Sequence, residues 1–313
     1  MNAHSRSPQT RATYPLAILG SGPTAVYLLD HLSREPGPVT SVCVYETSAW
    51  PGRGMPYNPE TTDVHHLCNI SSVELPALPQ SFAEWLTQPP QEALTPLGVV
   101  SKHAVYTRLA MGAYFADQLQ TVLHRLRDRG CRAEVRAGTP VVDLQDLPDT
   151  SEVAVHTADG VDRYAHVVIC TGHSWPEHDD VANGHYLSPW PIHKLTNRRM
   201  NHPVGLLGAS LSAFDVVASL AARHGTLTQD RFTPDAQAPD FRIVLHASEG
   251  WLPQLQYEQR EPMREVYRHV SEAELLSQGS YRQLVSGVAV GVLERDRQRG
   301  DALSARRAEP RAQ

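Results

Sequence analysis

Twice in this 313-residue chain a short apolar run ends in glycine and gives way at once to a helix-forming stretch. Leu16-Ala17-Ile18-Leu19 leads into Gly20-Ser21-Gly22-Pro23-Thr24-Ala25, and Val204-Gly205-Leu206-Leu207 into Gly208-Ala209-Ser210-Leu211-Ser212-Ala213. A short apolar run without alternation reads as a strand buried on both faces, which is how parallel sheets covered by helices are built. The pattern predicts an α/β fold of two Rossmann-type, three-layer dinucleotide-binding domains.

The first turn has the chemistry to cradle a pyrophosphate. Gly20 permits the tight strand-to-helix turn, Gly22 lets the backbone approach the phosphates, and the small Ala25 lets helix and strand pack. The helix opened by Pro23 and Thr24 presents free N–H groups and a partial positive charge. Val39 to Tyr45 reads as the next strand, with Glu46 at its end, about 20 residues beyond the turn, where a carboxylate accepts hydrogen bonds from ribose hydroxyls and repels a 2′-phosphate. This site should take FAD or NAD in preference to NADP.

At the second turn Gly208 supplies the turn and Ala213 the small packing residue, but Ser210 stands at the middle glycine. Its Cβ restricts backbone approach, while its hydroxyl can donate to a phosphate. Leu211 and Ser212 open the helix, and Asp215 falls near its first turn, where the helix dipole favours an acid.

Between the turns, residues 50–80 are rich in Pro and Gly and read as a functional loop. Ser81 and Glu84 form a capping box for a short helix. Val105 to Arg129 reads as a long amphipathic helix, and Arg132 to Ala137 as a strand. Pro140–Leu144, Glu152–Thr157 and Arg163–Cys170 read as successive strands, making a small β-meander, with a turn at Ala158-Asp159-Gly160. Residues 176–203 read as an irregular linker and Thr226–Asp240 as an insertion; Phe241–His246 is a further strand, and the chain from about Glu261 reads as helical. The expected domains are 14–185 and 186–293, with disordered or frayed ends at 1–13 and 294–313.

Composition narrows the function. The net charge of −6 argues against nucleic acid as the main partner. No apolar stretch approaches membrane-spanning length and no signal peptide is visible, so a cytoplasmic location is expected. The 4 cysteines include no Cys-x-x-Cys, which argues against a disulfide reductase; Cys43 and Cys170 read as buried structural thiols. The 16 histidines form no ligand pattern, so no metal is expected, and the adjacent His65-His66 read as loop or surface residues.

Several motifs sharpen this. Trp50-Pro51-Gly52-Arg53-Gly54 follows Glu46, Gly138-Thr139-Pro140-Val141-Val142-Asp143 precedes the meander, and Val167-Val168-Ile169-Cys170-Thr171-Gly172 ends it. With them stand Arg53-Gly54-Met55-Pro56-Tyr57, His66-Leu67-Cys68-Asn69-Ile70, Phe82-Ala83-Glu84-Trp85-Leu86 and Tyr106-Thr107-Arg108. In this order they resemble the FAD/NAD(P)-binding oxidoreductase family that includes flavin monooxygenases acting on amino-acid and urate-like substrates, relatives of the N-hydroxylating monooxygenases. The resemblance spans about residues 15 to 260. It implies FAD in the first unit, with Arg53 on the pyrophosphate, Val142 beside the adenine, Thr171 and Gly172 passing near the FAD, and Asn69 within a flavin and substrate face at Tyr57–Leu78.

At the second turn the family commonly has Gly-x-Gly-Leu-Ser-Ala-x-Asp. NADPH-using relatives often place Ser-Arg where this chain has Ser248-Glu249, so NADH is expected over NADPH, or weak nicotinamide binding. Trp85 and Tyr114 also fit plain core roles, Arg108 a carboxylate pairing, and Asn69 a turn cap. The implied activity is that of an FAD-dependent NAD(P)H oxidoreductase, a monooxygenase hydroxylating a small polar substrate; no side chain stands out as catalytic. The alternatives are a flavin reductase or dehydrogenase without oxygen insertion, and a non-catalytic nucleotide-binding protein. Family members usually run longer, so a homo-oligomer or a partner chain completing the flavin site is a further expectation.

Overall fold

The first apolar run forms β1 (Tyr14–Leu19), the Gly20–Gly22 turn follows, and Pro23 sits in the first turn of α1 (Pro23–Arg34). Proline is favoured there because its missing N–H has no helical partner. The chain returns as β2 (Val39–Tyr45), parallel to β1, with Leu19 beside Tyr45. The computed structural model describes residues 14–35, 39–88, 100–173, 178–228, 231–248, 250 and 252. The leader 1–13, Glu249, the helical stretch expected from about Glu261 and the tail 294–313 lie outside the described residues.

The capping box at Ser81 forms as expected: its side chain accepts from the Glu84 amide and α2 spans Phe82–Leu86. The long helix α3 runs Arg108–Asp128 rather than from Val105. Thr107, whose Oγ1 accepts from the Ala110 N–H at 3.2 Å, caps it and sets its start. α3 is followed by β3 (Arg132–Arg136), parallel to β2. Val26 and Leu29 of α1 join Met111, Phe115, Leu119 and Val122 of α3 in the main buried core. Trp85 and Tyr114 are buried in it as well, in keeping with core roles.

The meander consists of β4 (Val141–Leu147), β5 (Glu152–Thr157) and β6 (Gly160–Tyr164), all antiparallel. Here the sequence expectation needs correcting. Arg163–Cys170 is not one strand: Tyr164 pairs with Val153 in the meander, whereas β7 (His166–Ile169) pairs in parallel with Leu16–Leu19 of β1. Apolar character continues through the joint at Ala165, so the sequence carries no mark of the change of partner. The parallel sheet has the order β3-β2-β1-β7. Tyr45 and Tyr164 tie meander to sheet, their hydroxyls 2.8 Å apart, with Tyr45 also donating to Asp162 at 2.7 Å.

The expected linker is more than a connector. It contains α4 (His193–Thr196), and Trp190, Ile192 and Leu195 are buried with Val216, Leu220 and Phe241 in a second core. Beyond it β8 (Pro203–Leu207) leads through Gly208 into α5 (Leu211–His224). The expected insertion holds an antiparallel pair, β9 (Gly225–Leu227) and β10 (Phe232–Pro234), before β11 (Arg242–His246) pairs in parallel with β8. Both strand–turn–helix units read from the sequence are therefore present.

Candidate functional site

The first site is built where β1, β2 and β7 end. Gly20 has φ +90°, and its N–H donates to the Tyr45 carbonyl at 2.8 Å. A Cβ there would overlap the Cys170 carbonyl group, lying 2.9 Å from its carbon. Gly22 has ordinary backbone angles, but a Cβ would lie 3.2 Å from the Gly54 Cα. A Cβ on Gly54, at φ +69°, would in turn meet the Pro23 ring at 3.0 Å. The 50–54 loop thus lies directly against the turn, at an approach the small glycines permit.

The helix end behind this cradle is open. The first helical bond runs from the Val26 N–H to the Gly22 carbonyl at 3.1 Å; the N–H groups of Gly22, Thr24 and Ala25 meet no acceptor among the described residues. Such donors, summed with the helix dipole, suit an anion. Arg53 is half-buried, its guanidinium 5.1 Å from the Trp50 ring centre. Burial lowers its pKa, with the Asp117 charge opposing, so a bound anion would relieve an electrostatic cost.

Glu46 is held in place by its neighbours. One carboxylate oxygen accepts from the Ser21 hydroxyl at 2.6 Å and its N–H at 3.1 Å; the other accepts from the Ser48 N–H at 2.8 Å. A carboxylate has about four acceptor positions, which leaves room for a ribose hydroxyl. Ser21, fully buried, also accepts from the Gly52 N–H at 2.9 Å. It links turn, acid and loop, and it was missed as a site residue. Its place between two glycines was the available signal. A glycine-lined cradle, free N–H donors and an oriented carboxylate are a donor set that fits a dinucleotide.

Around the rim, Thr171 and Gly172 are exposed just past β7, and no atom lies within 4 Å of where a Gly172 Cβ would be. Val142 is 70% exposed at a β-bulge in β4. Asn69 is exposed in a bend after the Leu67–Thr107 bridge. The second turn stands at the end of the separate β8–β11 sheet. Gly208 has φ +103° with open space before it, while Ser210, Leu211 and Ser212 are exposed. Glu249, on which the NADH expectation rests, is not among the described residues.

One sequence reading needs revision here. His66 is no surface residue: it is fully buried, its Nδ1 2.7 Å from the Thr62 hydroxyl and its Nε2 2.8 Å from the Ser219 hydroxyl. Burial lowers its pKa, with the Asp63 charge opposing and Arg108 adding to the fall. Asp215 lies near the first turn of α5, as the sequence reads. It is buried and accepts from the Arg108 guanidinium at 2.6 Å, the carboxylate pairing considered for Arg108. Burial pushes the Asp215 carboxyl up to about 6, opposed by Arg108 and reinforced by the Asp63 charge.

A family model described as FAD-NAD(P)-binding matches residues 17–174, just over half of the chain. The chain belongs to this family. The FAD-NAD(P)-binding match opens inside β1 and closes just beyond Thr171-Gly172, so it encloses the cradle, Glu46, Arg53 and the meander. The uncharacterized protein YdhS of Escherichia coli (strain K12) is 29% identical over 252 residues, covering 77% of this chain and 47% of that protein. The chain thus spans about half the length of the curated relative it matches.

Solved structures similar to this FAD-NAD(P)-binding chain include cyclohexanone monooxygenase from Rhodococcus sp. Phi1 bound to NADP+, at 19% identity over 68% of this chain and 36% of that one, TM-score 0.41. Ornithine N-hydroxylase from Kutzneria sp. 744 is 17% identical over 74% of this chain and 53% of that one, TM-score 0.47. Among the described residues no helix is long and apolar enough to cross a membrane.

Proposed function

We propose that this chain is the two-nucleotide frame of an FAD-dependent NAD(P)H oxidoreductase, a monooxygenase that hydroxylates a small polar substrate. The observation that carries the reading is the cradle: Gly20, Gly22 and Gly54 closely packed over the open N-terminus of α1, with Glu46 oriented at the end of β2. Residues 14–185 would form the FAD unit and 186–293 the nicotinamide unit. The N–H groups of Gly22 and Thr24, at the helix start fixed by Pro23, and the Arg53 guanidinium hold the pyrophosphate. Glu46 takes the ribose hydroxyls, the Val142 backbone at its bulge meets the adenine, and Thr171 and Gly172 border the cofactor. Asn69 belongs to the flavin and substrate face. At the second turn the N–H groups of Leu211 and Ser212 and the hydroxyl of Ser210 hold the phosphates of NAD(P)H, over the space that Gly208 leaves open.

Bound FAD would supply hydride acceptance from NAD(P)H and reaction with O₂. The protein's part is to bind, orient and exclude water. The 4 cysteines, none in a disulfide, suit a reducing cytoplasmic setting.

The purified protein should be yellow, or become so with FAD, and the flavin absorbance should bleach anaerobically with NADPH or NADH. A colourless protein that cannot be loaded with FAD overturns the proposal. Oxidation rates with the two nucleotides decide between them; reduction followed only by hydrogen peroxide release favours the flavin reductase. A non-catalytic nucleotide-binding protein acting through a partner chain or second copy is favoured by Ser210 at the middle turn position and by Leu207, 98% exposed beside it. An FAD-loaded protein that no nicotinamide nucleotide reduces would support that reading.

A further inference from the structure

We infer that Asp63, His66, Ser219 and the Arg108–Asp215 pair form a clasp that positions the second nucleotide turn against the first. The inference rests on reading Gly208–Ser212 as the nicotinamide site.

The clasp joins residues far apart in sequence. Asp215 and Ser219 are one turn apart on α5, on the face turned to the 58–68 segment and the start of α3. Ser219 donates its hydroxyl proton to Asp63 at 2.6 Å. That proton is then committed, so His66 must donate Nε2–H to the Ser219 oxygen, and its Nδ1 accepts from Thr62. One proton arrangement satisfies the whole chain, with His66 neutral. Arg108 is anchored from both sides: its N–H donates to the His66 carbonyl at 2.9 Å and its Nε–H to the Leu67 carbonyl at 3.1 Å. Its guanidinium lies 5.3 Å from the Trp190 ring centre, and the His66 ring meets Trp190 edge-on. Behind them the Ile192 N–H donates to the Thr61 carbonyl at 3.0 Å, and His193 Nε2 to the Pro59 carbonyl at 2.9 Å.

An apolar contact between two units tolerates small slides. A largely buried hydrogen-bonded network does not, because a shift of α5 breaks several of its bonds together. Asp215 lies one turn beyond Leu211, so the clasp grips the end of α5 that carries the nucleotide turn. Hydride transfer between two bound nucleotides depends on such placement, and misplacement by about 1 Å can cost about a hundredfold in rate.

The test uses the FAD-loaded full chain carrying Ser219→Ala or Asp215→Asn, with Arg108→Lys as the charge-conserving variant. Hydrogen exchange at the amides of 204–216 should accelerate about tenfold or more in the first two, while the amides of 16–30 and FAD affinity stay at wild-type values. The NADPH dissociation constant should change little, whereas anaerobic flavin reduction should slow by about ten- to a hundredfold. Arg108→Lys, which keeps the charge facing Asp215, should slow it less than Asp215→Asn does. Unchanged exchange at 204–216, or equal loosening of both halves, overturns the clasp. If wild type binds FAD but neither NADPH nor NADH, the nicotinamide reading fails, and the exchange comparison alone still decides whether the clasp holds α5.

Discussion

Replacing Gly20 with alanine should destabilise the protein far more than the same change at Gly172, although both glycines have positive φ, +90° and +70°. At Gly172 no atom lies within 4 Å of the new methyl, so the cost is backbone strain alone, roughly 1 to 2 kcal/mol. At Gly20 the methyl overlaps the Cys170 carbonyl as well. Relief by moving either strand is resisted: the Cys170 N–H is bonded to the Leu19 carbonyl at 2.7 Å and the Gly20 N–H to Tyr45 at 2.8 Å. Overpacking of this kind adds about 1 to 3 kcal/mol. The unfolded-state gain on replacing glycine, about 0.4 to 1 kcal/mol, is common to both variants and cancels in the comparison. Gly20→Ala should therefore be less stable than Gly172→Ala by about 2 kcal/mol. Equilibrium urea unfolding of both variants without FAD, followed by tryptophan fluorescence, measures this. A Gly20→Ala variant as stable as Gly172→Ala would refute the close packing of the turn against β7.

Gly22→Ala should separate binding from folding: with φ −66° and a 3.2 Å approach to Gly54, it should cost under about 1 kcal/mol of stability yet lower FAD affinity at least tenfold by flavin-fluorescence titration. Glu46→Gln turns an acceptor-only group into one carrying an NH₂ that must face the Ser21 or Ser48 donors; a loss of about 1 to 3 kcal/mol in urea unfolding is expected, along with weaker FAD binding. Arg53→Ala should weaken FAD binding by about 1.5 to 3 kcal/mol, with Arg53→Lys recovering only part, because an ammonium cannot bond a phosphate bidentately. Asp215 gives a pH signature. Its folded pKa, about 6, lies above its unfolded value, so the folded state holds the extra proton between the two. Its contribution to stability should fall as pH rises from about 4 to about 6 and stay level above. Urea unfolding of wild type and Asp215→Asn across that range should show wild type losing ground to the variant as pH rises; a constant difference would contradict the burial of this carboxyl.

Much of the first site is legible in the sequence because its requirements are local. Gly20 and Gly22 follow a strand and precede a helix, and Glu46 closes the next strand, so backbone chemistry over a few tens of residues suffices to place them. Ser21 was less legible, since its value depends on Glu46 and Gly52 arriving beside it. The meander strands were found but their partners were not: nothing local at Ala165 says that the chain leaves Val153 for Leu16. The residues of 176–203 looked like a linker because their apolar members, Trp190, Ile192 and Leu195, follow no single period.

Sequence alone determined the two strand–turn–helix units and which turn keeps its middle glycine. These follow from short-range rules of backbone freedom, capping and apolar periodicity. Tertiary structure decided what surrounds them. It buried His66, whose partner Ser219 lies 153 positions away, and gave Asp215, near the start of α5, Arg108 as a buried partner. Burial and hydrogen-bond partnership depend on what the fold packs alongside, and no local pattern in a chain records which distant side chain will arrive there.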